Sequence, residues 1–348
     1  MQINKSCPLV AVIVPAYNAQ SYIESSMRSI LRQSYENFRL IVVNDGSTDT
    51  TEEILFRLAA EDSRLEVITV PNGGPANARN IALDRVARGA DYIMFSDADD
   101  EMPVDAIEYA VGNIRDADIA LLGFSIRNPD GSERLYCERE QHLTQDSIGA
   151  ELGGLYKANL LNQVWAKLFR CALIQDSNIR FLNYRWGEDR LFIYDCLEKS
   201  TTIAVLPEAK YIYIMHPGES LITKYIADKP EVCKLSDRRM MQLCERFNVT
   251  DERDFRYMFM KSIFSCMTTL YSPSCKLSHA EKHSAVREII YDEQVQSRSH
   301  ELFGGLAIKL LCGVIHTKNV ALNCLVFRFV AFAGKAAPRL FTMLKHKK

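Results

Sequence analysis

The chain has 348 residues, 47% of them hydrophobic and 25% charged, and a formal net charge of −2. This is an ordinary globular composition, which excludes disordered, collagen-like and low-complexity classes; the near-neutral balance argues against a dedicated nucleic-acid binder. No uninterrupted apolar run approaches the roughly 18–20 residues of a membrane span, and the length suits one large domain or a catalytic domain with an appendage.

Leu9–Val14 is a short β-branched run that predicts a buried parallel strand. Residues 21–33 place Ile23, Met27, Ile30 and Leu31 on one helical face. Phe38–Val43 reads as a second strand, stopped by the turn cluster Asn44-Asp45-Gly46-Ser47, with Thr48 or Asp49 available to cap the next helix. Leu65–Val70 is a third strand; Pro71-Asn72-Gly73-Gly74-Pro75 breaks the pattern before a helix around Ala76–Arg88. Asp91–Phe95 is a fourth strand, running into Ser96-Asp97-Ala98-Asp99-Asp100. Strands alternating with helices mean parallel βαβ units, and ligands of such sheets sit beyond the carboxyl ends of the strands. The polar segments after the four strands therefore belong to one edge.

The middle, about 115–225, mixes apparent strands (Ile119–Phe124, Ile203–Leu206, Tyr211–Met215) with helices, and beyond Pro230 the pattern turns helical. Residues 301–348 hold eight Lys/Arg against one acid, a balance of +7 that leaves −9 on the rest. Tail and body are thus expected to face different partners. Ten cysteines lie between Cys7 and Cys324 with no C-x-x-C pair, and the N-terminus lacks a secretory apolar stretch. Buried reduced thiols in a cytoplasmic protein are the expectation.

Five fragments in order carry a resemblance: Val12-Ile13-Val14-Pro15-Ala16-Tyr17-Asn18; Val42-Val43-Asn44-Asp45-Gly46-Ser47-Thr48-Asp49; Asn72-Gly73-Gly74 with Ala78-Arg79-Asn80; Asp97-Ala98-Asp99-Asp100; and Gly187-Glu188-Asp189. Over about residues 9–225 the chain resembles glycosyltransferase family 2. The resemblance implies a GT-A fold, a Rossmann-like, mostly parallel α/β sheet flanked by helices. The catalytic domain would span 1–225, with a nucleotide-sugar half at 9–115 and an acceptor half at 116–225. A helical region would follow at 226–348.

The resemblance also implies roles. Asp97-Ala98-Asp99 corresponds to the DxD motif, with Asp99 on a divalent Mg²⁺ or Mn²⁺ and Asp97 on the ribose or in the metal's shell. Hard cations take carboxylate and phosphate oxygens, which suits this pair. Asp45 is expected on the uracil imide, although the family often has two acids where this chain has Asn44-Asp45. Pro15, Ala16 and Tyr17 would pack on the base, and Asn72, Gly74 and Arg79 would lie near the nucleotide; the bland alternatives are turn residues and a surface arginine. Asp189 would take the proton of the acceptor hydroxyl, with Glu188 as the alternative. Trp165 would stack on an acceptor sugar or sit in the core. His216 stands where the family carries an arginine and is expected on phosphate or metal, or as a structural residue.

The expected activity is inverting transfer from a nucleotide sugar, a UDP-sugar, to a hydroxyl of a glycan or lipid-linked acceptor in bacterial surface polysaccharide assembly such as capsule or O-antigen. The competing readings are a catalytically degenerate nucleotide or partner binder on the same fold, and a nucleotidyltransferase, whose basic glycine-rich N-terminal loop is missing here. The tail, with Arg328, Lys335 and Arg339 on one side of a helix over 320–340 until Pro338 interrupts it, is expected either at the inner face of the cell membrane or packed on protein.

Overall fold

The computed structural model describes residues 7–86, 89–216, 224–300 and 304–336. The first elements are β1 (Val10–Ala16), α1 (Ile23–Leu31), β2 (Phe38–Asp45), α2 (Thr51–Glu61), β3 (Leu65–Val70), α3 (Pro75–Val86), β4 (Tyr92–Phe95) and α4 (Ala106–Asn113). Next come β5 (Ile119–Arg127), β6 (Glu133–Tyr136), β7 (Gln141–Thr144), α5 (Gln145–Lys157), β8 (Lys167–Arg170), α6 (Cys171–Asp176), α7 (Glu188–Lys199) and β9 (Thr202–Ile214). Six helices follow: α8 (Lys229–Arg246), α9 (Arg253–Thr269), α10 (His279–Tyr291), α11 (Glu293–Ser299), α12 (Leu306–His316) and α13 (Val320–Ala336).

One sheet carries all the strands in the order β3-β2-β1-β4-β8-β5-β9-β7, with β6 on β5. β1 is parallel to β2 from Val10↔Phe38 to Ala16↔Asn44 and to β4 from Val10↔Tyr92 to Ile13↔Phe95; β2 is parallel to β3. Burial of both faces explains why β1, β2 and β4 read as nearly continuous apolar runs rather than alternating ones. Ala16, Asp45, Val70 and Phe95 end these strands at one edge, so the four polar segments do share it. The far side is mixed: β8 is antiparallel to both β4 and β5, whereas β5 and β9 are parallel.

The first-half elements match the expected order, with helix ends differing by a few residues. Pro75 opens α3, where its missing N–H costs nothing. Neither Thr48 nor Asp49 is the first residue before α2; Thr50 is, and Asp49 Oδ1 accepts the Thr51 N–H at 3.0 Å. Two expected strands, 203–206 and 211–215, are one strand, β9, continuous through Pro207, with a register irregularity against β5 near Gly123. All ten cysteines are reduced; eight are buried, and Cys7 and Cys137 are exposed.

The chain divides into two units, Met1–Pro217 with Leu243–Thr250, and Gly218–Gln242 with Asp251–Lys348. In the second, the buried face of α9 (Phe255, Phe259, Met260, Ile263, Phe264, Met267) supplies the core. Ser278 and Glu281 cap α10 reciprocally, and Asp292 caps α11 through the Gln294 and Val295 N–H groups. A cavity of about 220 Å³ lies between Tyr225, Lys234, Cys266 and Ile289. Of the expected tail, Pro338 and Arg339 lie outside the described residues.

Candidate active site

The loop after β1 turns at Asn18, whose φ is 46°. Its N–H donates to Ser47 Oγ at 3.0 Å and its Oδ1 accepts the Thr48 N–H at 2.8 Å. The loops after β1 and β2 are therefore one piece. In it Ala16 is buried and Tyr17 is 52% exposed, beside Pro15 at the strand end.

Asp45, at the end of β2, is buried, and each of its carboxylate oxygens accepts one backbone N–H. Oδ1 accepts the Gly73 N–H at 2.7 Å, Oδ2 accepts the Gly74 N–H at 2.8 Å, and the Asp45 carbonyl accepts from Asn72 Nδ2 at 2.9 Å. Its carboxylate is thus the clamp of the 72–74 loop. The same approach forces glycine at 46: φ is 69°, and a Cβ there would stand 2.7 Å from the Asn72 nitrogen.

The acidic segment after β4 is organised by a residue from the far strand. The buried Tyr211 hydroxyl donates to Asp100 Oδ2 at 2.7 Å and accepts the Asp97 N–H at 3.0 Å; the Ile214 N–H donates to Asp100 Oδ1 at 2.9 Å. Burial, with Asp97 and Asp99 adding negative charge, pushes the Asp100 pKa well above the usual carboxylate range. Asp100 is the sealed foot of the segment, while Asp97 and Asp99 keep 30% and 39% of their side chains exposed.

Arg79 joins the two halves of the site. From α3 its Nη2 reaches Asp97 Oδ1 at 2.9 Å; its Nη1 reaches Asp189 Oδ1 at 2.9 Å and Glu188 Oε1 at 3.3 Å. The guanidinium is 4% exposed and lies 5.3 Å from the Phe181 ring centroid. Three carboxylates on one guanidinium leave local negative charge, and a planar fork is the group that can hold them at fixed angles. Burial pushes the Asp189 pKa up to about 7 against the pull of Arg79, with Glu188 and Asp97 adding to the rise. Packing fixes the distance: Phe95, two residues before Asp97, and Phe192, three after Asp189, meet edge-on at 5.5 Å, and Phe181 stacks on Phe192 at 4.0 Å. Gly187, with φ 79°, turns the chain into α7 so that Glu188 and Asp189 open its first turn, where the helix dipole favours acids.

His216 ends the described part of that segment with its ring 4.1 Å from that of Tyr22, and its Nε2 is 3.6 Å from Asp99 Oδ2. That nitrogen is buried and has no hydrogen-bond partner among the described residues. Trp165 is placed in the core: it is 8% exposed, stacks on Tyr211 at 4.6 Å and meets Phe124 edge-on at 4.8 Å. Its ring supports Tyr211, so the face on that side is not open to a sugar.

Two residues of the site were not among the candidates from sequence. Tyr211 is one. Lys167, at the start of β8, is the other: it is buried, donates to the Gln163 carbonyl at 2.6 Å and the Trp165 carbonyl at 3.3 Å, and burial lowers its pKa to about 7 while the charge of Asp189 opposes the drop. A lysine flanked by Trp-Ala and Leu-Phe in an apolar segment is the signal that marks it.

Residues 11–174 match the family described as Glycosyl transferase family 2. The chain is 31% identical over 216 residues to the uncharacterized glycosyltransferase EpsJ of Bacillus subtilis, covering 61% of this chain and 62% of the relative. It is 40% identical over 128 residues to the putative teichuronic acid biosynthesis glycosyltransferase TuaG of the same species, covering 36% and 50%. It thus spans less than two thirds of these relatives. Among solved structures, S. aureus TarS 1–349 in complex with UDP-GlcNAc superposes with a TM-score of 0.65 at 21% identity, over 94% of this chain and 92% of that one. The fold is the expected GT-A sheet with a helical C-terminal extension. By the family match, the sheet and the strand-end motifs, residues 11–174 of the chain are similar to glycosyltransferase family 2.

Proposed function

We propose that the chain transfers a sugar, with inversion, from a UDP-sugar to a hydroxyl of a glycan or lipid-linked acceptor in surface polysaccharide assembly. The observation that carries this reading is the Arg79 fork, which ties a donor-side acid, Asp97, to an acceptor-side acid, Asp189, through one buried guanidinium. The TarS complexes with UDP-GlcNAc and UDP support the donor class, and the teichuronic acid biosynthesis named for TuaG supports the setting.

The donor set fits a hard divalent cation, Mg²⁺ or Mn²⁺. Asp97 and Asp99 offer two partly exposed carboxylates, and the His216 Nε2, without a hydrogen-bond partner among the described residues, lies 3.6 Å from Asp99 Oδ2. Among the described residues no three His, Cys, Asp or Glu side chains form a complete cage. Asp99, with Asp97 and His216 beside it, would hold such an ion, which would supply positive charge to balance the leaving diphosphate.

The remaining steps belong to the chain. Asp189 accepts the proton of the acceptor hydroxyl as it attacks the anomeric carbon from the face opposite the leaving diphosphate. Arg79 holds Asp189 in line and limits the repulsion among the three acids. Asp45 keeps the 72–74 loop closed beside the base pocket formed with Pro15, Ala16 and Tyr17. Calorimetric titration of UDP, GDP and CDP with Mn²⁺, then with excess chelator, tests the donor site. UDP binding that needs the metal and weakens at least tenfold in Asp99→Ala is expected. No binding of any nucleoside diphosphate overturns the reading; binding without donor hydrolysis or transfer favours a degenerate binder.

A further inference from the structure

The last two described helices turn apolar side chains outward. On α12, Leu306 and Leu310 are 75% and 62% exposed; on α13, Leu325, Phe329 and Phe332 are each 68% exposed, and Leu322 joins them. Positions 322, 325, 329 and 332 alternate three- and four-residue steps, so they form one stripe along α13. The opposite side of the helix is already used. Asn323, Cys324 and Phe327 are buried, Asn323 Nδ2 donates to the Val314 carbonyl of α12 at 2.9 Å, and Phe327 meets Phe264 of α9 at 6.0 Å. α13 is therefore anchored by one apolar face and presents a second. A helix apolar on all sides is one that is covered on all sides.

The charges beside the stripe have one sign. Lys309, Lys318 and Arg328 are exposed, and from residue 302 to the end the sequence contains eight Lys/Arg and no Asp or Glu. A second copy docked by this face about a two-fold axis would bring these cations against their own counterparts, which is unfavourable. An anionic bilayer surface accepts both features: the acyl boundary takes Leu and Phe, and the headgroup phosphates take Lys and Arg. Among the described residues no helix is long and apolar enough to cross a membrane, so such a surface would be met side-on.

We propose that α12 and α13 form a peripheral docking face for anionic phospholipid bilayers. This adds a partner to the transferase reading, bringing the site to lipid-linked acceptors, but its test does not depend on transfer. The full chain is floated with vesicles of phosphatidylcholine alone and of phosphatidylcholine with phosphatidylglycerol, at low and high salt. Flotation with the anionic vesicles only, reduced by salt, is expected. Each of Lys309→Gln, Lys318→Gln and Arg328→Gln weakens binding about fivefold. Phe329→Ser combined with Phe332→Ser weakens it at least tenfold, with helix content by circular dichroism and UDP binding unchanged in all variants.

Absence of flotation, or flotation that these substitutions leave intact, overturns the proposal. So does a dimer that the Phe329→Ser, Phe332→Ser variant converts to monomer while vesicle binding persists. Should that double variant lose helix content, the three charge variants decide alone. UDP binding on the same samples separates the two readings: a chain that binds UDP but not vesicles has lost only this face, and one that binds vesicles but not UDP has lost only the donor site.

Discussion

On one side of β4, strands β1, β2 and β3 run parallel and each hands a polar loop to the same edge; on the other, β8 runs antiparallel and the chemistry sits inside elements. Asp45 is the last residue of β2, and Asn72 and Asp97 follow strand ends, where loops carry ligands. Lys167, Tyr211 and Asp189 come from a strand start, a strand interior and a helix start, and all three are largely buried. On the proposed reading the loop side binds the donor, and the buried side holds charge away from water. Arg79 is the joint between them, so perturbing each side separately should produce different failures.

The sharpest separation is expected from Asp189→Asn. Transfer should fall by about 10²–10⁴-fold, while calorimetry finds UDP affinity within about threefold, because the change touches the buried side only. Near-normal transfer would remove Asp189 from its role. Arg79→Ala should instead damage both sides. It strands three acids around a buried gap and should cost about 3–5 kcal/mol in urea unfolding, with transfer lost as well. Arg79→Lys keeps the charge without the fork and should fall between wild type and the alanine variant.

Smaller effects follow at the crossing point of the two sides. Tyr211→Phe removes a donor from buried Asp100 and an acceptor from the Asp97 N–H, costing about 1–3 kcal/mol. Because it loosens the acidic segment, metal-dependent UDP binding should weaken with it; unchanged binding would show that the segment holds itself. Last comes pH. Burial raises Asp189 to about 7, and a base acts only when deprotonated, so kcat/KM should climb about tenfold from pH 6 to pH 8 and flatten above. A flat profile over that range would mean that Asp189 is ionised throughout.

The loop side was readable because parallel strands buried on both faces announce themselves as apolar runs, and each run stops at residues that turns require. The expected strand Leu9–Val14 falls on β1, which is buried along almost its whole length, for that reason. The buried side gave weaker signals. β8 has four residues, too few for periodicity, and it pairs with strands far away in sequence. Trp165 could be read as a sugar platform because its partner Tyr211 lies 46 positions on, and nothing local announces the stack. Asp45 was readable as important, but its two bonds to Gly73 and Gly74 depend on β2 lying next to β3, a tertiary fact.

Helix α8 gives the chain an unusual itinerary. Its N-terminal part counts with the second unit, yet Leu243–Thr250 counts with the first, where Arg246 Nη2 donates to the Ser200 carbonyl at 3.3 Å. Gly149 of α5 fits there because a Cβ would collide with the Phe247 carbonyl. The sheet unit therefore cannot be finished while the chain is being synthesised until residue 250 has emerged, after the polypeptide has departed from it and come back. A chain ended near residue 225 would hold every residue of the proposed site and still leave Gly149 facing an empty berth.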